Sequence, residues 1–100
     1  MVIKIVPNDK STPAGKLADA ELHFDEGELA GLKLMGFAVW ERKNAAGRGV
    51  TFPARTYSLN GQSRTFTLLR AIGEERAQDR LRDMILQAYS EFAADVAVAS

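Results

Sequence analysis

The sequence predicts an α+β fold, a four-stranded antiparallel meander closed by one long C-terminal amphipathic helix, with a fifth strand if the first apolar segment joins the sheet. Three observations carry this expectation. Apolar and polar residues alternate from Leu17 to Phe24, Asn60-Gly61 stands between two strand-like runs, and after Gly73 the apolar period lengthens to about 3.6 residues.

Taken in order, Val2 to Val6 is a short apolar segment ahead of Asn8-Asp9-Lys10-Ser11-Thr12-Pro13-Ala14-Gly15, which is polar and rich in turn formers. It is an added edge strand or an unattached end, and the edge strand ranks first. From Leu17 to Phe24 the apolar positions Ala18, Ala20, Leu22 and Phe24 alternate with Asp19, Glu21 and His23, the period of a half-buried strand. Asp25-Glu26-Gly27 turns the chain. Leu29 to Arg42 reads as a long second strand, with Gly31 and Gly36 marking a bulge or bend where bulk does not fit. Its apolar residues on both sides, Met35, Phe37 and Val39 against Leu34, Ala38 and Trp40, place it centrally and imply that both faces meet something.

Val50 to Tyr57 is the third strand, and Pro53, which lacks a ladder donor, favours an edge position or a bulge. Asn60-Gly61 fits a type I′ turn because both central residues need positive φ, and Arg64 to Arg70 follows as the fourth strand. Beyond Gly73, Ala77, Leu81, Met84, Ile85, Ala88, Tyr89 and Phe92 fall on one helical stripe, with Glu74 and Glu75 suited to the positive end of the macrodipole. Residues 1–100 therefore read as one domain: edge strand and loop over 1–15, sheet over 16–72, helix over 74–96.

Composition narrows the function classes. At 100 residues, 46% hydrophobic and 26% charged, the chain fits one folded domain and not a disordered one. There is no cysteine, so disulfides, thiolate nucleophiles and cysteine metal sites are excluded. No apolar run approaches the roughly 20 residues that span a bilayer, and the first residues lack the apolar core of a signal peptide, so a cytoplasmic location is expected.

The formal charge is zero but unevenly placed. Residues 41–83 hold nine Lys or Arg and five Asp or Glu, flanked on both sides by segments with an acidic excess. A local basic surface attracts phosphates even on a neutral protein, because salt screens distant acids over about 10 Å. The competing explanation is a set of solvated strand faces and helical ion pairs, since Arg76 and Asp79, Asp79 and Arg82, and Arg80 and Asp83 are each three residues apart.

Catalytic patterns are weak. His23 is the only histidine and sits opposite the apolar face of its strand, where a solvated ring is expected. Asp25, Glu26 and Glu28 lack a calcium-loop pattern, and Gly47-Arg48-Gly49 is explained by a hairpin turn better than by a phosphate-cradling loop. The serines have no second histidine from which to draw a base. No enzyme activity, metal, cofactor or small-molecule substrate is expected. Phe37, Trp40, Phe52, Tyr57 and Phe66 lie on strands, where stacking platforms for nucleic acid occur, but strand aromatics belong more often to a core.

The second strand, the glycine-rich turn, Phe52-Pro53-Ala54-Arg55-Thr56, the run Arg64-Thr65-Phe66-Thr67-Leu68-Leu69-Arg70-Ala71-Ile72 and a helix carrying Leu86-Gln87-Ala88-Tyr89 together resemble the stage V sporulation protein G (SpoVG) family over roughly residues 16–92. The family's Met-Pro-Ser-Lys-Arg motif corresponds to Phe52-Pro53-Ala54-Arg55-Thr56, with one base where the family often has two. Its Ala-His-Pro-Ile step corresponds to Leu69-Arg70-Ala71-Ile72, and its basic helix start to Arg76, Gln78 and Arg80. The resemblance implies a small bacterial regulator that binds DNA or RNA, acts in septation, sporulation or virulence gene expression, and forms homodimers through strand pairing. Arg55, Arg70, Arg76 and Arg80 are the matched positions.

Two functions from different classes are thus carried forward. One is a dimeric nucleic-acid-binding regulator using Arg42, Lys43, Arg48, Arg55, Arg70, Arg76 and Arg80. The other is a protein-interaction module that recruits a partner along an open strand edge or helix face.

Overall fold

A computed structural model describes residues 1–10, 12–42 and 47–99. Among these residues the elements run β1 (Val2–Pro7), β2 (Lys16–His23), β3 (Lys33–Glu41), β4 (Arg48–Thr51), β5 (Ala54–Leu59), β6 (Gln62–Thr67) and α1 (Arg76–Ala99). The first four strands form one antiparallel sheet in chain order, and β5 and β6 form a separate two-stranded hairpin. The α+β class and the closing helix are as the sequence predicts. The strand partition and the strand bounds differ at several points, each with a physical cause.

The expected third strand, Val50 to Tyr57, is two strands. Pro53 supplies no N–H to a ladder, and it is buried against the backbone of Gly36, so β4 stops at Thr51 and β5 begins at Ala54. The sheet reaches four strands because the N-terminal segment pairs as an edge strand, Val2 opposite His23 through Pro7 opposite Ala18. Arg48 and Gly49, expected in a turn, lie on β4, where Arg48 faces Glu41 and Gly49 faces Trp40.

Alternation on β2 holds as predicted: Ala18, Ala20 and Leu22 are buried and the residues between them are not. On β3 the alternation slips. Ala20 pairs with Phe37 but Leu22 pairs with Leu34, so β3 carries an extra residue over Met35 and Gly36. Gly36 takes φ +111°, a region that disfavours any side chain, and the bulge leaves Met35 55% exposed instead of aligned with Phe37 and Val39. The second strand also begins at Lys33 and not Leu29, because the chain folds back locally: Gly31 donates to the Phe24 carbonyl and Phe24 to that of Leu32.

The helix lies across one face of this sheet. Ile85 is fully buried with Phe37 and Val39, and Ala20 and Leu22 complete the cluster. Ile3, Ile5, Leu81, Leu86 and Tyr89 pack around it. Burying each large side chain contributes about 1.5–3 kcal/mol relative to exposure, so these few residues hold the helix to the sheet. Of the predicted stripe, Met84 is 47% exposed, and Leu86 takes the position against the core. The helix runs antiparallel to β4, since Arg82 stands over the Phe52 ring and Arg48 over that of Tyr89.

The hairpin leaves this body. Every residue from 54 to 66 is exposed, and the Cα radius of gyration is 15.2 Å against about 13 Å for a compact chain of this length. Among the described residues no helix is long and apolar enough to cross a membrane.

Candidate nucleic-acid interface

The hairpin's geometry follows from its turn. Asn60 and Gly61 take φ +52° and +78°, which makes a two-residue connection and fixes the register: Leu59 opposite Gln62, Tyr57 opposite Arg64, Arg55 opposite Phe66. Side chains on a strand alternate between faces, so one face carries Arg55, Tyr57, Leu59, Gln62, Arg64 and Phe66. The other carries Ala54, Thr56, Ser58, Ser63, Thr65 and Thr67, with the Thr56 and Thr65 hydroxyls 3.2 Å apart. The two faces therefore differ sharply in chemistry, one basic and aromatic and the other small and hydroxylic.

On the basic face the Tyr57 and Phe66 rings meet edge to face, centroids 5.6 Å apart at 62°, and each residue is 41% exposed. Two strand aromatics expected in a core are thus at the surface. The other three meet the expectation better: Phe37 is fully buried, Phe52 packs against the core with its ring 5.2 Å from that of Phe37, and Trp40 is half-buried with its indole N–H donating to the Thr51 hydroxyl. Arg64 Nη2 lies 3.4 Å from Gln62 Oε1, which leaves its charge uncompensated. Among the described residues neither Arg55 nor Arg64 has a carboxylate within salt-bridge distance.

The predicted basic residues fall into three groups. Arg42 follows β3 with its guanidinium beside Gly49, and Arg48 stacks over Tyr89 at 4.9 Å, both at the end of the sheet where Glu41 pairs with Arg48. Lys43 lies outside the described residues. Arg55 is on the hairpin. Arg70, Arg76 and Arg80 are all exposed around the helix start, where Arg70 rims a shallow apolar groove made by Phe52, Leu69, Ala71, Ala77 and Leu81. Gln78 closes that groove from the helix side by donating to the Leu69 carbonyl at 3.1 Å.

Electrostatically the groups are unequal. From Arg42 to Gly73 the sequence holds six bases and no Asp or Glu. Around the helix start two arginines are met by acids, Arg80 at 3.9 Å from Glu74 and Arg82 donating to Asp79 at 2.7 Å, whereas among the described residues Arg70 and Arg76 have no carboxylate within salt-bridge distance. Of the three helical pairs that the spacing predicts, that of Asp79 with Arg82 forms, whereas Arg80 turns to Glu74. Positive charge is therefore uncompensated on the hairpin, and on the helix it is offset at Arg80 and Arg82.

Sequence reasoning does not bring Arg64, Tyr57 and Phe66 together as a site. The signal that associates them is nevertheless in the chain, because a two-residue Asn-Gly turn dictates which residues share a face.

Elsewhere two local clusters engage titratable groups, one around Glu21 and one at Asp25. His23 Nε2 is 2.8 Å from Glu21 Oε1, and Lys33 Nζ is 3.4 Å from the same oxygen. The His23 hydrogen bond, then Lys33, holds the Glu21 carboxyl below its ordinary range. Asp25 is held low chiefly by its hydrogen bond from the terminal ammonium at 2.7 Å, and the ammonium is raised in return. Among the described residues no three His, Cys, Asp or Glu side chains gather into a potential metal site.

No protein-family model, curated protein or solved structure matches this chain.

Proposed function

We propose that this protein is a small, dimeric, non-enzymatic regulator that binds DNA or RNA, as its resemblance to the SpoVG family implies. The observation that carries the proposal is the projecting hairpin: thirteen consecutive exposed residues that include Arg55 and Arg64 and no carboxylate, within a longer acid-free stretch. Uncompensated arginines on a protruding ribbon suit a polyanion, and such contacts weaken as salt rises through counterion release. Arg42 and Arg48 add two further bases at the end of β4 away from the hairpin, with no carboxylate within salt-bridge distance among the described residues.

Dimerisation has separate support. A lone two-stranded ribbon is marginally stable in water, and each strand of this one has an unpaired outer edge. Pairing of the two hairpins edge to edge across a two-fold axis normal to the ribbon makes a four-stranded sheet, and such an axis keeps like faces on the same side. The dimer thereby doubles the basic face without covering it.

The test is fluorescence-anisotropy titration of labelled DNA and RNA at low and physiological salt, with Arg55→Gln/Arg64→Gln alongside. Saturable, salt-sensitive binding that the double variant weakens is expected. Absence of binding to every probe at low salt refutes the proposal. Sedimentation should show a species of twice the 10.9 kDa chain mass at micromolar concentration, and a monomer alone refutes the dimer.

A second function, recruitment of a protein partner, is favoured by the exposed apolar residues Leu59, Leu68 and Ile72, of which Ile72 is entirely in solvent. It predicts no affinity for nucleic acid and loss of a co-purifying partner in Leu68→Ser/Ile72→Ser.

A further inference from the structure

We infer that the hairpin's basic face takes single-stranded nucleic acid, stacking unpaired bases on Tyr57 and Phe66 while Arg55 and Arg64 hold the flanking phosphates. The inference rests on the nucleic-acid function proposed above and specifies the class of ligand.

The argument begins with alternation. Along β5 an arginine precedes an aromatic by two residues, Arg55 then Tyr57, and along β6 the same order recurs, Arg64 then Phe66. Because the strands are antiparallel, these units lie head to tail, Arg55 opposite Phe66 and Arg64 opposite Tyr57. Each ring therefore has a guanidinium two residues away on its own strand and another directly across. Two residues along a strand span about 7 Å, a step comparable with that between successive phosphates of an extended single strand.

The rings are available for stacking. At 62° they meet edge to face, so neither is stacked on the other, and both sit in the unbroken run of exposed residues. Exposed aromatic faces are unfavourable in water, and a base supplies a π-face that covers them without demanding a sequence. Duplex DNA offers no such surface, because its bases are already stacked and its grooves present polar edges. Arg55, Gln62 and Arg64 are of the types that read those edges, but the rings of Tyr57 and Phe66 set among them gain a stacking partner only from an unpaired base. The charge also matches a polyanion and not an acidic protein groove: the bases are few, separated and interleaved with aromatics.

The experiment uses the full chain with fluorescein-labelled oligo-dT, oligo-U and a mixed-sequence duplex of equal length. Tyr57→Leu/Phe66→Leu keeps apolar bulk and removes both π-systems, and Tyr57→Trp/Phe66→Trp restores them. Since both sites are at the surface, circular dichroism should be unchanged in each variant. The single strands should bind at least about tenfold more tightly than the duplex, and the Leu pair should lose at least about tenfold in affinity for oligo-dT with an unaltered salt slope. The Trp pair should retain wild-type affinity.

Equal affinity for duplex and single strand, with the Leu pair within about twofold of wild type, overturns the inference and leaves the nucleic-acid function standing. Absence of binding to all three probes overturns both. Loss of the dimer in the Leu pair, with oligo-dT affinity intact, shows that a second copy covers this face and overturns the inference alone.

Discussion

Gly36→Ala tests how the hairpin is mounted on the sheet. The residue has φ +111°, and a Cβ placed there would lie 2.8 Å from Pro53 Cβ and 3.3 Å from Pro53 Cα. Forcing an L side chain into a positive-φ conformation costs about 1–2 kcal/mol. Neither Pro53 atom belongs to a flexible side-chain end, so the overlap is relieved only by moving backbone, which adds about 1–3 kcal/mol. The total, about 2–5 kcal/mol, is a large share of the roughly 5–15 kcal/mol that holds a small domain folded.

Gly31→Ala separates the two contributions. Gly31 has φ +90° and nothing within 4 Å of its absent Cβ, so it reports the backbone part alone. Urea unfolding of both variants should therefore differ by about 1–3 kcal/mol, roughly 1–2 M in midpoint at typical slopes. Adding Pro53→Gly to Gly36→Ala removes the atom at 2.8 Å and should return part of the loss as a favourable coupling. Hydrogen exchange at the Leu68 amide, which donates to the Pro53 carbonyl at 2.8 Å, should quicken in Gly36→Ala if the hairpin root is displaced. A Gly36→Ala variant no less stable than Gly31→Ala would refute this account of the root.

Other perturbations probe the core, the charges and the pH response. Ile85→Ala should cost about 2–5 kcal/mol in urea unfolding because the side chain is fully buried between helix and sheet. Tyr57→Ala on the exposed hairpin should cost no more than about 1.5 kcal/mol, the loss of its edge-to-face contact with Phe66. Arg55→Gln/Arg64→Gln should lower the log–log salt slope for oligo-dT by about 1.4, about 0.7 for each phosphate that is no longer neutralised. Glu21 is held low by His23 and Lys33, so its contribution to stability is present above the ordinary value of 4.5 and lost as pH falls below it. Glu21→Gln should accordingly flatten the acid limb of a stability–pH curve, and an unchanged limb counts against the pairing.

Much of the main sheet is legible from period and turn chemistry. The β2 alternation and the positive-φ Asn60-Gly61 turn are direct consequences of residue type, and Ile85 falls on the predicted helical stripe. What escapes the sequence is set by non-local geometry. Pro53 signals an interruption, but only its burial against Gly36 shows that the chain leaves one sheet and starts another. Alternation alone puts Met35 on the wrong face, because one extra residue in β3 inverts the pattern beyond it. Tyr57 and Phe66 read as core because strand aromatics usually are, and whether a face is covered depends on the direction in which the hairpin projects. The charge excess over residues 41–83 is visible as a sum, but not its division between an acid-free hairpin and helix arginines paired with Glu74 and Asp79.

The separation of the hairpin from the core has an evolutionary meaning. Residues 54–66 contribute little to the packing that keeps the chain folded, while Ile85, Phe37 and Val39 contribute little to whatever the hairpin touches. A substitution at Arg55, Tyr57 or Arg64 can thus alter recognition at small cost in foldedness, whereas the mounting at Gly36 and Pro53 tolerates almost none. Selection, or an engineer, can rewrite one face of a ribbon while the scaffold stays constant, so related chains should diverge fastest along the hairpin and slowest at its root.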